Sequence, residues 1–169
     1  MTGAINFLPK RKSKNEKNID TTILDKLQDL LSEVNVPLNR TSGELAEKYN
    51  EIAEIYKKIK DSDNALVYYN KALEIWQNLN NVEKQLIQYR CIGYCYLHMY
   101  QFNKAIDIFS IALSMSYQVN DKVMIVEFEM SLGNAYNWSE NYDLAEAHLA
   151  KALKNIKYLN NNEIIISLY

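Results

Sequence analysis

The chain has 169 residues, 48% of them hydrophobic and 24% charged, with 4 Gly, 2 Pro and a formal net charge of −2. That is the length of one domain with enough apolar material for a sizeable core, which excludes a disordered chain, and the scarcity of Gly and Pro disfavours a loop-rich all-β fold. The near-neutral balance gives no global field toward nucleic acid or acidic lipid, no apolar run approaches the ~18 residues of a membrane span, and the start Met1–Lys10 is too weakly apolar for a secretory signal.

Residues 1–19 read as a disordered basic tail, with Lys10, Arg11, Lys12, Lys14 and Lys17 facing only Glu16 and no apolar periodicity. A helix follows over 20–36, its stripe made by Ile23, Leu24, Leu27, Leu30, Leu31 and Val34 at spacings of three and four, with Pro37 beyond its end. It is out of phase with what comes next and is expected to cap it. Thr41-Ser42-Gly43-Glu44 has capping-box spacing and opens the region 42–169.

That region repeats at a spacing of 40 residues, in blocks of about 42–81, 82–121 and 122–161, with 162–169 starting a partial fourth helix. Tyr56, Tyr96 and Tyr136 fall in register, as do Ala65, Ala105 and Ala145, then Ala72, Ala112 and Ala152. A fixed period of this size means stacked helix pairs, each pair burying its apolar face against its neighbours. In each block helix A carries one stripe (Tyr49, Ile52, Ala53, Tyr56 in the first) and helix B another (Ala65, Tyr69, Ala72, Leu73, Trp76). Asp63, Asn103 and Asp143 stand where a helix-B N-cap is expected. Gly93 and Gly133 lie inside helices at a cost of ~1 kcal/mol each relative to Ala. Ala53 shares their register, so smallness at a close A/B contact is the requirement. Glu129 breaks the stripe where the other blocks place Tyr49 and Tyr89, and His148 is expected on the exposed side of helix B.

The run Tyr89, Ile92-Gly93, Tyr96, Ala105, Phe109, Ala112, repeated around Leu132-Gly133-Asn134-Ala135-Tyr136, resembles the tetratricopeptide repeat (TPR) over about residues 46–161. The usual proline closing helix B is absent, with Gln77, Tyr117 and Lys157 in its place, so helix B can run on. The long form is similar to repeats of spindle-orientation adaptors, kinesin light chains and some bacterial peptide-pheromone receptors. The resemblance implies an all-α, right-handed superhelical solenoid of antiparallel helix pairs, and a non-catalytic scaffold or adaptor that binds a peptide or helical segment of a protein partner in a concave groove lined by A helices.

Helical geometry then places the groove on the A-helix face opposite the core stripe. Its candidate residues are Asn50, Glu54 and Lys57 in the first repeat, Arg90, Tyr94 and His98 in the second, and Met130, Asn134 and Trp138 in the third. Glu47, Lys58, Ile87, Leu97, Glu127 and Asn137 fall on the same face. Asn50 and Asn134 can donate to and accept from a peptide backbone at once, and Arg90 can pair with a ligand carboxylate. The ordinary alternative for each is a solvated or inter-repeat contact. Glu54, Cys91, Glu127 and Ser131 fill positions where chaperone-tail-binding members of the family keep a Lys/Asn/Arg clamp, which disfavours capture of a terminal carboxylate.

Cys91, Cys95 and His98 share a helix face and include zinc-binding groups, but no second cluster completes a tetrahedral site, so neither metal nor cofactor is expected. No phosphate loop, nucleophile elbow or His-Glu-x-x-His occurs, and no basic–aromatic stripe suits nucleic acid, so an enzyme is not expected. Two Cys without a secretory signal suit a reducing, cytoplasmic compartment, which makes the glycosylation-type triplets at Asn39 and Asn137 chance matches. The alternative function is a structural assembly subunit, a homo-oligomer joined through the first helix and the apolar end at Ile164, Ile165, Ile166 and Leu168. A sensor of a small secreted peptide is a third option.

Overall fold

The computed structural model describes residues 21–36 and 41–158; the basic tail 1–19 and the segment 162–169 lie outside them. The described residues form seven helices: α1 (Thr21–Asn35), α2 (Ser42–Lys58), α3 (Ser62–Asn78), α4 (Val82–His98), α5 (Phe102–Gln118), α6 (Lys122–Trp138) and α7 (Tyr142–Tyr158). No strand occurs among them, and none is long and apolar enough to cross a membrane. From α2 to α7 each helix packs chiefly on its sequence neighbours, α4 also meets α6, and α1 packs on α2. The architecture is an all-α helical solenoid, with α2/α3, α4/α5 and α6/α7 as the A/B pairs.

The period is built from a regular unit. Helices α2 to α7 are each 17 residues long, and α3 and α5 run through Gln77 and Tyr117, where a proline would have stopped them. The five junctions from α2 to α7 close in the same way. Lys60, Asn80, Tyr100, Asn120 and Glu140 take left-handed backbone (φ 52 to 63). At the first junction the Lys60 N–H donates to the Lys57 carbonyl at 3.0 Å and the Asp61 N–H to the Tyr56 carbonyl at 2.9 Å. Those two bonds satisfy carbonyls that the helix end leaves free, and they recur at the other four junctions.

This closure ends the turn two residues earlier than the capping pattern suggests. Asp61, not Asp63, caps α3, its side chain accepting from the Asn64 N–H at 3.1 Å. Asp63 falls in the first turn, where a negative charge suits the helix dipole, and Asp143 likewise lies inside the first turn of α7. Gln101, not Asn103, holds the cap position of α5, without a side-chain cap bond. The Thr41/Glu44 capping box forms as expected, with both reciprocal bonds present.

The small residues do what the repeat demands of them. Ala53, Ala65, Ala72, Ala105 and Ala112 are fully buried. A Cβ added to Gly93 would lie 2.1 Å from Phe109 Cε1, and one added to Gly133 would lie 2.6 Å from Leu149 Cγ. Ala53, in the same register, is completely buried in a cluster with Tyr69. One core cluster joins Leu27 and Leu30 of α1 to Ile52, Tyr56, Tyr69 and Ile92; a second gathers Leu86, Phe109, Phe128 and Leu132. Leu97, expected in the groove, belongs to this second core at 2% exposure.

Candidate interaction surface

The A helices α2, α4 and α6 are tied to one another by polar side chains 37 or 38 residues apart, two to three short of the period, so each contact reaches about one helical turn back along the next A helix. Lys84 pairs with Glu47 at 2.6 Å and Arg90 Nη1 with Glu127 Oε1 at 2.5 Å. Gln88 Nε2 donates to Asn50 Oδ1 at 3.3 Å, and the Tyr94 and Ser131 hydroxyls meet at 3.3 Å. Burial disfavours the Arg90 charge, but the hydrogen bond and charge of Glu127 outweigh it and raise the pKa above the ordinary value.

In the first repeat, burial likewise opposes the Glu54 charge, yet hydrogen bonds from Lys57 and from the Tyr69 hydroxyl, with the nearby lysine charges, hold its carboxyl below the usual value. Four of the nine candidates, Asn50, Glu54, Lys57 and Arg90, are therefore engaged within the chain. Lys57 bridges to Glu54 at 2.6 Å, and Met130 is half-buried. Tyr94 is partly engaged, its ring edge-on to Phe109 at 5.6 Å and its hydroxyl against Ser131, with 36% of the residue exposed. His98, Asn134 and Trp138 are exposed. These last four lie toward the C-terminal ends of α4 and α6.

Sequence reasoning missed the partners that tie the helices together: Lys84, Gln88, and the roles of Glu127 and Ser131. Their signal is faint but present, since opposite charges stand 37 residues apart at Glu47/Lys84 and Arg90/Glu127. It also missed an aromatic corner beside Trp138. There Tyr100 meets Phe102 edge-on at 6.2 Å and Phe102 meets Trp138 at 6.4 Å, beside a cleft of ≈ 500 Å³.

The thiols are set up for packing. Burial pushes the Cys91 thiol up, and burial with the neighbouring Cys91 pushes Cys95 up to about 11, so both are protonated at neutral pH. Among the described residues no group of three or more His, Cys, Asp or Glu side chains is placed to hold a metal. His148 is not on the exposed side of helix B as expected. Its Nδ1 lies 2.6 Å from Glu129 Oε2, and Glu129 is buried at 1% exposure. A carboxyl buried that deeply needs polar partners, and His148 and the Tyr117 hydroxyl both reach it.

Residues 46–78 match the tetratricopeptide repeat family. No curated protein sequence matches the chain. Solved structures share its fold at low identity. The apo form of RapI superposes with a TM-score of 0.78 at 18% identity, over 85% of this chain and 41% of that one. BtubC (BKLC) from P. vanneervenii gives 0.73 at 19% identity, over 83% and 59%. A Rap protein complexed with competence and sporulation factor gives 0.68 at 19% identity, over 86% and 41%. The chain thus spans less than two thirds of the length of each. Residues 46–78 are thus a tetratricopeptide repeat, two further helix pairs follow in register with it, and the fold is the one these solenoids share.

Proposed function

We propose that the chain is a non-catalytic protein-interaction scaffold, an adaptor that holds an extended or helical segment of a partner protein in a concave groove lined by α2, α4 and α6. The observation that carries this reading is a division of labour on the A helices. One set of polar side chains is spent on linking helix to helix, while His98, Asn134 and Trp138 stand exposed along α4 and α6 and Tyr94, bonded to Ser131, keeps 36% of its surface exposed beside them. Linked helices present a preorganised surface, which lowers the entropy lost on binding. Asn offers a donor and an acceptor to a peptide backbone, and aromatic rings supply contact area. The Rap complex with competence and sporulation factor is support by likeness of fold.

The test is affinity capture on the wild-type chain beside a Tyr94→Ala/His98→Ala/Asn134→Ala variant, with circular dichroism to show that the helices persist. The reading expects a partner protein retained by the wild type and lost by the variant at equal helicity. Equal retention by both would sink it.

One observation favours the assembly reading as well. Leu153 is 62% exposed where Leu73, in the same register, is 8% exposed, because no described helix packs beyond α7. Light scattering on a Leu153→Lys variant decides: a fall in mass relative to the wild type supports self-association through α7, and a monomeric wild type rejects it.

A further inference from the structure

The corner between the second and third repeats carries aromatic residues that the repeat itself does not require. Tyr100 occupies the left-handed turn position at φ 58 and is 81% exposed. A left-handed conformation costs an ordinary residue about 1–2 kcal/mol, and this ring recovers little of that by burial. Lys60 and Glu140 fill the same position in the other repeats. Tyr100, Phe102 and Trp138 line the ≈ 500 Å³ cleft with Gln101, Lys104 and Glu140. The Gln101 amide oxygen is buried there and has no donor. The left-handed turn is common to all five junctions, so what sets this corner apart is the exposed aromatic surface of Tyr100 and Trp138, which points to something that covers it.

The electrostatics select the occupant. Glu140, Asp143 and Glu146 are exposed around the start of α7 and make no ion pair among the described residues. Lys104, which lines the cleft, has its ammonium over the Tyr96 ring at 5.5 Å. Residues 1–19 hold five basic residues and one acidic, a charge of 5 − 1 = +4, so the rest of the chain carries −2 − 4 = −6. Within that stretch Phe7-Leu8-Pro9 runs directly into Lys10-Arg11-Lys12.

Reach allows the contact. The short connection between α1 and α2 makes them antiparallel neighbours, which puts Thr21 on the edge that carries the A-to-B turns. Phe7 to Thr21 spans up to about 48 Å of extended chain, and the cleft lies three A-helix spacings of about 10 Å from α1.

We propose that this cleft docks the chain's own segment Phe7–Lys12, the apolar half against Tyr100, Phe102 and Trp138 and the basic half against Glu140, Asp143 and Glu146. The occupant is tethered, so a modest contact suffices at the effective concentration the linker provides. The docking site shares Trp138 with the proposed groove but none of the helix-to-helix contacts, and its test reads the segment's position, not partner binding.

The experiment is acrylamide quenching of tryptophan fluorescence in the full chain. Trp76, at 6% exposure, supplies a protected background, and a Trp138→Phe control assigns the remaining signal. Replacing Lys10, Arg11 and Lys12 by Glu is expected to raise quenching of Trp138 about two- to threefold, and about 1 M NaCl is expected to do the same to the wild type, because it shortens the screening length to about 3 Å. Tyr100→Asn, which relieves the turn, should expose Trp138 to quencher without lowering the melting temperature. Equal quenching in the wild type and the charge-reversed chain overturns the proposal. So does protection that disappears on dilution, which would assign the occupant to another copy or another molecule.

Discussion

In the first repeat Tyr56 stacks on Tyr68 at 5.6 Å and 14°, with Tyr49 tilted against Tyr68 at 5.9 Å and the Lys71 ammonium 4.6 Å above the Tyr68 ring. In the third, at the same register, Tyr136 stacks on His148 at 5.4 Å and 14°, and Glu129 stands in place of Tyr49, 2.6 Å from the imidazole. The junctions leading into the second and third repeats match in the same way. Gln77 Nε2 donates to the Tyr89 hydroxyl at 3.1 Å, and 40 residues on the Tyr117 hydroxyl donates to Glu129 Oε1 at 3.1 Å. The first and third repeats therefore keep one geometry, a stacked ring pair plus one bond across the adjoining repeat boundary, while the chemistry that fills it changes from aromatic to ionic; in the second repeat Ile108 stands in that register and no ring pair forms. The arrangement also gives the missing proline a structural counterpart, since the residue in that place makes the bond to the next repeat.

The comparison breaks most sharply if the ionic version loses one partner. His148→Ala leaves Glu129 buried with only the Tyr117 hydroxyl bond and should cost about 3 kcal/mol in urea unfolding, whereas Tyr68→Phe, which keeps the ring stack, should cost under ~1 kcal/mol. Similar losses for the two would mean that Glu129 is not held by His148. Next in size is the close helix contact common to all repeats. Ala105→Leu should destabilise by about 1–3 kcal/mol through overpacking, and an unchanged melting temperature would contradict the packing. Gly93→Ala meets the Phe109 ring, so overpacking of about 1–3 kcal/mol is set against the ~1 kcal/mol gained in helix propensity. The net should be a loss, relieved when Phe109 is cut to Leu as well.

Smaller effects sharpen the junction. Tyr117→Phe removes a bond to a carboxylate and should cost about 1.5 kcal/mol, against about 0.5 kcal/mol for Gln77→Ala at the neutral, exposed counterpart. Denaturant midpoints that ranked these two in the opposite order would separate the junctions. At high pH the core shared by the first repeat and α4 is the sensitive one. Burial, with Tyr68 and Asp61 nearby, pushes Tyr56 up to about 12, and burial with Cys91 pushes Cys95 up to about 11. The folded state thus holds protons that the unfolded chain releases from its ordinary values of 9.0 and 10.0. Their stabilising contribution is complete below pH 9 and falls away as pH rises through about 11 to 12. A melting temperature that stayed flat from pH 8 to about pH 11 would contradict this.

Much of the fold is legible in the residues because period and smallness are local signals. Tyr56/Tyr96/Tyr136, the buried alanines, Gly93 and Gly133 announce stacked helix pairs, and Thr41 with Glu44 announces the first start. The caps are less legible, because the left-handed residue that closes each turn is Lys, Asn, Tyr or Glu, never the Gly that such a turn usually takes. Without that marker Asp63 looks like a cap as readily as Asp61. The candidate surface is half legible. Helical phase identifies which side of an A helix Arg90 and Asn50 occupy, but nothing local to Arg90 reveals that Glu127, a repeat away, meets it. His148 and Glu129 mislead for the same reason: each looks out of place alone, and only tertiary packing shows that they answer each other.

The most direct test of a constant geometry with interchangeable chemistry is a double-mutant cycle that rewrites the third repeat as the first. Urea unfolding is measured for Glu129→Tyr, His148→Tyr and the double variant. The account predicts that the His148→Tyr single, with a buried carboxylate left only the Tyr117 hydroxyl bond, loses about 3 kcal/mol, and that the double recovers most of that loss. A double variant whose loss equals the sum of the two singles would contradict it.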